Sequence, residues 1–204
     1  MQKELLLALY IIFFAFVHSL TASRSFKKKA YDFVEPELYR FLYTLVSVTM
    51  VLPLLYLWLW NRERSALLYT IEFPYLVVSI AMIAAGLFLV LNSLITIDVL
   101  DFIGVKAALK RKALGEKAGG LIITGAYGIT RHPLYLGGML ILWSNPVMRL
   151  VDFAAASFIS GYLILGAFLE ERKLEEEFGD EYRDYKTKVS MFLPFKWLGN
   201  VIRL

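Results

Sequence analysis

The 204-residue chain contains no cysteine, which excludes disulfide bonds, thiolate catalysis and cysteine-ligated metal centres. It has only two histidines, His18 and His132, which lie far apart in the sequence. We therefore expect no histidine-rich metal site. The net charge is only +4, and the basic residues cluster beside apolar segments. This distribution is typical of a membrane surface and predicts no nucleic-acid partner.

Long hydrophobic runs are what the chain has in abundance. Hydrophobic residues make up 58% of it, whereas soluble domains average about 45–50%. The runs predict an all-α, polytopic membrane helix bundle with about five transmembrane helices. The expected spans are residues 5–20, 42–60, 74–97, 134–148 and 150–169. The fourth is the shortest and is interrupted by Ser144-Asn145-Pro146.

Lysine and arginine are concentrated in alternate connections. They are frequent in residues 24–29, in residues 98–131 and in the tail after residue 169. Because cytoplasmic loops carry the excess of positive charge, the pattern predicts an outside N-terminus and a cytoplasmic C-terminus. The length predicts one domain over residues 1–204, with an N-terminal three-helix part (1–97) and a functional core (98–204).

A first candidate site lies where the fourth apolar run begins. Residues 124–137 read Thr-Gly-Ala-Tyr-Gly-Ile-Thr-Arg-His-Pro-Leu-Tyr-Leu-Gly, and Pro133 suits the first position of a helix. Arg131 can pair with a carboxylate in bidentate fashion, and the backbone N–H groups of a helix start favour anions. The alternative is a basic flank at the membrane interface, decorated with aromatic residues.

A second candidate site lies at the end of the fifth run, where Glu170 and Glu171 stand. Carboxylates at a helix C-terminus oppose the helix dipole, so a ligand or a partner must justify them. One interpretation is a cationic ligand, held also by cation–π contacts with tyrosine rings. The alternative is pairing of the carboxylates with Arg131, Arg172 or Lys173.

Together the two segments resemble a known family. The patterns are Gly-x-Tyr-x-x-x-Arg-His-Pro-x-Tyr-x-Gly and, after a helical hairpin, Glu-Glu-x-x-Leu-x-x-x-Phe-Gly-x-Glu-Tyr-x-x-Tyr with Pro194 downstream. They are similar to the cofactor-binding core of the integral-membrane methyltransferases, the isoprenylcysteine carboxyl methyltransferase and phospholipid methyltransferase superfamily. The resemblance implies S-adenosylmethionine as the cofactor, a cytosolic C-terminal helical segment that binds it, and a prokaryotic inner or plasma membrane location.

The resemblance also implies roles for individual residues. Arg131 would lie at the reaction centre. The expected cofactor-binding residues are Leu121, Ile122, Gly125, Tyr127, His132, Pro133, Tyr135, Gly137, Glu170 and Glu171.

The first half of the chain refines the resemblance towards the NnrU and methanethiol S-methyltransferase branch. The residues that carry it are His18-Ser19, Tyr39-Arg40-x-x-Tyr43 and Asp98-x-x-Asp101-Phe102-x-Gly104. This implies a thiol acceptor, with His18 as a pocket residue that positions the thiol or takes its proton. The alternative for His18 is an interfacial histidine bonded to a carbonyl group.

The resulting hypothesis is a membrane methyltransferase that acts on a small or lipophilic acceptor and contacts membrane lipid. Three alternatives stay open: an isoprenylcysteine or lipid methyltransferase, an NADPH-dependent enzyme similar to sterol reductases, and a non-enzymatic accessory membrane protein of the NnrU type. Cofactor binding distinguishes these classes.

Overall fold

The computed structural model describes residues 2–97, 105 and 120–202. The motif that begins at Asp98 lies outside the described residues. The helices are α1 (Gln2–Ala22), α2 (Arg24–Ala30), α3 (Pro36–Arg62), α4 (Leu76–Thr96), α5 (Pro133–Trp143), α6 (Leu150–Phe178), α7 (Asp180–Lys188) and α8 (Phe195–Ile202). The strands are β1 (Leu67–Thr70) and β2 (Val147–Arg149), and Gly125–Gly128 form a 3₁₀ turn.

Four of these helices are long and apolar enough to cross a membrane, which confirms the polytopic helical class. Their spanning segments are Leu5–Ala22, Leu38–Arg62, Leu76–Thr96 and Leu150–Phe178. The predicted fourth span corresponds to α5, which has only 11 residues. At about 1.5 Å per residue α5 is too short to cross a bilayer by itself, because the helix ends before Ser144.

The first of two compact units contains, among the described residues, 2–66 and 149–152. Its helices α1 and α3 pack together, and the Tyr10 hydroxyl donates a 3.1 Å hydrogen bond to the Met50 carbonyl. Asp152 is 6% exposed and accepts hydrogen bonds from Trp58 Nε1 at 2.9 Å and Arg62 Nε at 3.3 Å. A buried carboxylate needs such partners, and these tie the start of α6 to the end of α3.

The second unit contains residues 67–97, 120–148 and 153–202 of the described chain. Its centre is the contact of α4 with α5, where Gly86 and Gly137 bring the two backbones together. A Cβ atom on either glycine would lie 2.7 Å from the carbonyl oxygen of the other, so larger residues would force the helices apart.

Backbone contacts at both ends show that α5 and its flanks run the length of α4. Near the C-terminal end of α4, Asn92 Oδ1 accepts the Ala126 N–H at 2.6 Å. Before its N-terminal end, the Ile71 N–H donates to the Pro146 carbonyl at 2.8 Å. The non-helical flanks therefore continue alongside α4 beyond both ends of α5.

A two-stranded sheet of β1 and β2 is an addition to the all-helical prediction. Each strand is only three or four residues long, and β1 contains tyrosine and threonine, which favour strands. The sheet joins the connection before α4 to the connection after α5, so both lie at the same end of the bundle.

Candidate functional site

The site is built where the chain enters α5 and where the C-terminal tail returns to it. The Arg131 N–H donates to the Ser190 carbonyl at 2.9 Å, and the His132 N–H donates to the Met191 carbonyl at 3.2 Å. Thr130 is fully buried, and its hydroxyl donates to the Met191 carbonyl at 2.8 Å. The tail is thus fastened by backbone bonds to the segment that carries Arg131 and His132.

The Arg131 side chain forms hydrogen bonds and an ion pair with other groups of the protein. Its Nε and Nη2 atoms lie 2.7 and 2.6 Å from Glu171 Oε1. Its Nη1 atom donates to the Val189 carbonyl at 2.6 Å, and the side chain is 9% exposed. The pairing of Glu171 with Arg131, which the sequence left open as an alternative, is present.

Glu171 is surrounded by cationic and donor groups. Its Oε1 atom also lies 3.3 Å from His132 Nε2, and its Oε2 atom lies 3.8 Å from Lys186 Nζ. The side chain is only 10% exposed. A carboxylate buried to this extent is tolerated because opposite charge and hydrogen bonds replace its water. The protein itself therefore balances the charge of Glu171.

Glu170 is the contrasting neighbour, because its side chain is 46% exposed. The Tyr135 hydroxyl donates to its Oε2 atom at 2.9 Å, and His132 Nδ1 lies 3.6 Å from the same atom. Among residues 120–202, no lysine or arginine forms a salt bridge with Glu170. This carboxylate is oriented by the two rings of Tyr135 and His132, and nearly half of it is open to solvent.

Aromatic rings enclose the two carboxylates. His132 stacks on Tyr135 with ring centroids 5.4 Å apart and an 11° angle between planes, and it contacts Phe192 at 5.6 Å. The Tyr185 hydroxyl donates to the Tyr127 carbonyl at 2.6 Å. Burial, and secondarily the negative charge of Glu170, raise the pKa of Tyr127 to about 12. The Tyr127 phenol is therefore neutral at physiological pH, and the negative charge of Glu170 favours this neutral state.

The predicted glycines are explained by a left-handed backbone conformation at Gly125 and by close packing at both positions. Gly125 has φ +60°, and a Cβ atom there would lie 2.6 Å from Asn92 Oδ1. Only glycine adopts this left-handed conformation at little cost. Gly137 faces Gly86 in the helix contact described above. Both positions thus require glycine for packing, and their predicted contact with a cofactor stays a prediction.

The other predicted residues divide between packing and surface. Leu121 packs against the cluster of Tyr182, Tyr185 and Val189 in the tail. Ile122 is 37% exposed. Pro133 is buried and opens α5, as the sequence predicted.

Sequence reasoning missed residues that hold the site together. They are Asn92, Thr130, Lys186 and Phe192. Asn92 had a detectable signal, since a polar side chain inside an apolar span needs a partner or a function. The other three had none, because their importance comes from the return of the tail to α5.

His18 lies in the first unit, among aromatic and hydroxyl groups. Its Nδ1 atom is 3.0 Å from Ser47 Oγ, its Nε2 atom is 2.8 Å from the Tyr43 hydroxyl, and its ring stacks on Phe14 at 5.5 Å. The Ser47 hydroxyl donates to the Tyr43 carbonyl at 2.8 Å, so it is free to accept from Nδ1–H. This pattern fits a neutral imidazole whose Nε2 atom accepts a hydrogen bond from the Tyr43 hydroxyl. The predicted role of His18 in methyl transfer stays a prediction.

Comparison with known proteins gives consistent results. The profile of the family described as "NnrU protein" matches residues 6–184. Methanethiol S-methyltransferase 1 of Bradyrhizobium diazoefficiens is 34% identical over 190 residues, which are 92% of this chain and 66% of the relative. Methanethiol S-methyltransferase of Mycobacterium tuberculosis is 33% identical over 186 residues, which are 89% of this chain and 74% of the relative.

A more distant similarity extends to a second substrate class. The protein-S-isoprenylcysteine O-methyltransferase of Saccharomyces cerevisiae is 37% identical over 82 residues, which are 37% of this chain and 33% of the relative. No solved structure matches the chain. Because the profile covers most of the sequence, the chain belongs to the NnrU family.

Proposed function

We propose that this protein is a membrane-embedded methyltransferase that moves a methyl group from S-adenosylmethionine to a small thiol. The relatives that cover most of the chain are thiol methyltransferases, which supports the reaction class. The observation that carries the proposal is Glu170, a half-exposed carboxylate without a lysine or arginine partner among the described residues of its unit. Its neighbour Glu171, by contrast, has its charge balanced by cationic and donor groups of the protein.

The donor set fits this cofactor, which carries an ammonium, a carboxylate and a sulfonium. Glu170 supplies the negative charge for a cation, while the Tyr135 and Tyr127 rings offer faces for cation–π contact. The first N–H groups of α5 favour a carboxylate. When bound, the cofactor supplies an activated methyl group, so that the protein has only to align the acceptor and exclude water.

Within this proposal Glu170 and Glu171 have different roles. Glu170 binds the cation, and Tyr135 and His132 fix its orientation. Glu171 receives Arg131, His132 and Lys186 and so holds the tail against α5. The prediction that Arg131 acts at the reaction centre becomes a narrower proposal. Since its guanidinium is bonded to Glu171 and Val189, Arg131 positions the binding groups.

The proposed acceptor is a small thiol such as methanethiol, as the names of the relatives suggest. The acceptor must lose its proton, because the thiolate is the nucleophile. A new carbon–sulfur bond then forms as the bond between methyl and sulfonium breaks, with a thioether as product. We propose that the thiol passes its proton to the Tyr43 hydroxyl, which in turn gives its own proton to the Nε2 atom of the neutral His18.

The orientation in the membrane is also a proposal. The lysine and arginine distribution supports a cytoplasmic C-terminus. Glu170 and the tail would then lie on the side of the membrane where a water-soluble cofactor is available. An impermeant label that reaches a C-terminal tag only after lysis would agree with this orientation, and labelling in intact cells would reject it.

Calorimetry on the purified protein in detergent tests the proposal. We expect binding of S-adenosylhomocysteine and no binding of NADPH. A radiolabelled methyl donor should then transfer its label to methanethiol faster than to a farnesylated cysteine analogue. NADPH binding without S-adenosylhomocysteine binding would favour the reductase alternative. Binding of neither would favour an accessory role, and preference for the prenyl analogue would replace the thiol with a carboxyl acceptor.

A further inference from the structure

A cavity lies in the second unit near the start of α4, at the end away from the candidate functional site. It has a volume of about 530 Å³ and is lined by residues of β1, the segment after it, the start of α4 and the end of α5. The candidate cofactor site adjoins Asn92, near the C-terminal end of α4. Met82 is the lining residue on α4 that comes nearest in sequence to Asn92, and the 10 steps between them make the separation along the helix about 15 Å at 1.5 Å per residue. The cavity is therefore distinct from the methyl-transfer site.

The lining of this cavity is mostly apolar but carries one negative charge. Tyr69, Tyr75 and Trp143 contribute aromatic rings, and Glu72 is the only charged residue among those that line it. Within the described part of the chain, Glu72 has no salt-bridge partner. Aromatic faces and a carboxylate attract the same ligand, an organic cation with an apolar body.

The walls of the cavity are fixed by contacts that need no ligand. Trp143 Nε1 donates to Ser160 Oγ at 2.9 Å, and its ring meets Phe153 edge-on at 5.5 Å. The backbone before Glu72 is held by the hydrogen bond from Ile71 N–H to the Pro146 carbonyl. The carboxylate and the indole are therefore held by the segment after β1 and by the end of α5, both of which are anchored.

The position of the cavity decides what kind of cation reaches it. It adjoins the first turn of α4, one of the spanning helices, so it opens at the level of a membrane interface. Val78 and Met82 belong to the lining and lie one turn apart on α4, towards the bilayer interior. An apolar strip leading from a cationic subsite into the bilayer fits a headgroup with its acyl chain.

We propose that this cavity binds the ammonium headgroup of a zwitterionic phospholipid, such as phosphatidylethanolamine, with the carboxylate of Glu72 and the rings of Tyr69, Tyr75 and Trp143. The acyl chain lies along Val78 and Met82. The site selects lipids by headgroup charge, and it does not take part in methyl transfer.

Native mass spectrometry of the full chain, with equal amounts of phosphatidylethanolamine and phosphatidylglycerol, tests the site. We expect the wild type to retain the ethanolamine lipid preferentially. Glu72→Gln should lower that preference about two- to fivefold, the size expected for one interfacial ion pair. Glu63→Gln removes an exposed carboxylate outside the cavity and should change nothing.

Two further measurements test whether the Tyr75 ring contributes to binding and whether the bound cation belongs to a lipid. Tyr75 is 73% exposed, so its substitution should leave the fold intact. Tyr75→Phe keeps the ring and should keep the preference, whereas Tyr75→Leu should reduce it. Equal retention of both lipids by the wild type, or an unchanged preference in Glu72→Gln, would overturn the proposal. Displacement of the lipid by free ethanolamine at the same concentration would also overturn it, since the acyl chain would then contribute nothing.

Discussion

The two histidines have different neighbours among the residues that the structure describes. His132 lies between two carboxylates, and Arg131 and Lys186 contact the more buried of them. His18 contacts the hydroxyls of Ser47 and Tyr43 and the ring of Phe14. The first region is suited to hold a charged molecule in place, and the second is suited to move a proton to or from a neutral one. In the proposed reaction, the first region would hold the cofactor and the second would take the proton of the thiol.

The charged region, formed by Arg131, His132, Glu170, Glu171 and Lys186, should be the more sensitive to substitution. Within it, Arg131→Met is expected to give the largest effect. Breaking a buried ion pair by removing one partner costs about 3–5 kcal/mol, because Glu171 would keep a charge with fewer donors. Thermal unfolding in detergent should show the loss, and limited proteolysis should cut the tail after α6 more readily.

Two variants control for this result. Arg183→Met removes an exposed arginine that pairs with Glu175 and Asp180, and it should leave the unfolding temperature almost unchanged. Adding Glu171→Gln to Arg131→Met should recover part of the lost stability, since the uncompensated charge disappears. A double variant as unstable as the sum of its single variants would show that the two groups are not coupled.

The next largest effect should separate the two adjacent carboxylates. Glu170→Gln is expected to weaken S-adenosylhomocysteine binding about ten- to hundredfold, the value of a charge-assisted hydrogen bond of about 1.5–3 kcal/mol. The unfolding temperature should not fall, because the Glu170 side chain is 46% exposed. Calorimetry measures the first quantity and differential scanning fluorimetry the second.

Glu177→Gln is the matched control, since Glu177 is an exposed carboxylate on the same helix. Glu171→Gln should show the opposite balance, with a lower unfolding temperature and a smaller direct effect on the ligand. Wild-type affinity in Glu170→Gln would exclude this carboxylate as the cation-binding group.

Much of the charged region was predictable from sequence, because it is carried by local motifs. The Arg131-His132-Pro133 and Glu170-Glu171 segments predicted two helix ends with functional side chains, and the structure brings the two segments together. The helix end predicted at the glutamates is wrong, since α6 continues through them to Phe178 because the polar residues after Glu171 extend the helix. The difference in contacts between Glu170 and Glu171 was not predictable. It depends on one helix turn placing Glu171 towards Arg131 and Glu170 towards Tyr135.

The long-range features were equally outside the reach of local patterns. The sheet of β1 and β2 pairs segments about 80 residues apart, and neither segment alternates clearly between polar and apolar residues. The return of the tail to Arg131 uses backbone carbonyls, which every sequence has. The four long spans, by contrast, follow from hydropathy alone.

A smaller effect is expected in the neutral region, by which we mean His18 with its neighbours Tyr43 and Ser47. Tyr43→Phe removes the hydroxyl that lies 2.8 Å from His18 Nε2. The loss of a neutral hydrogen bond, worth about 0.5–1.5 kcal/mol, should lower kcat/KM for methanethiol about two- to tenfold. Affinity for S-adenosylhomocysteine should be unchanged, because the variant leaves the charged region intact.

His18→Ala should lower methanethiol turnover at least as much as Tyr43→Phe does. Tyr10→Phe, which removes a hydroxyl bonded to the Met50 carbonyl elsewhere between α1 and α3, serves as the control. If His18→Ala leaves thiol turnover untouched, His18 has no role in the reaction and the neutral region is structural.

The smallest effect should come from Tyr127, at the border of the charged region. Burial, and secondarily Glu170, raise the pKa of its phenol to about 12, whereas a phenol in an unfolded chain titrates near 10. The folded state therefore keeps this proton at pH values where the unfolded state loses it. It follows that this contribution to stability is fully present below about pH 10 and is lost as the pH rises towards 12.

Unfolding temperatures of the wild type should fall more between pH 10 and 12 than those of Tyr127→Phe, which has no phenol to titrate. Below pH 9 the two proteins should bind S-adenosylhomocysteine with affinities within about threefold, because a neutral phenol and a phenyl ring offer a cation similar faces. Identical pH dependence in both proteins would mean that Tyr127 titrates normally and does not face Glu170.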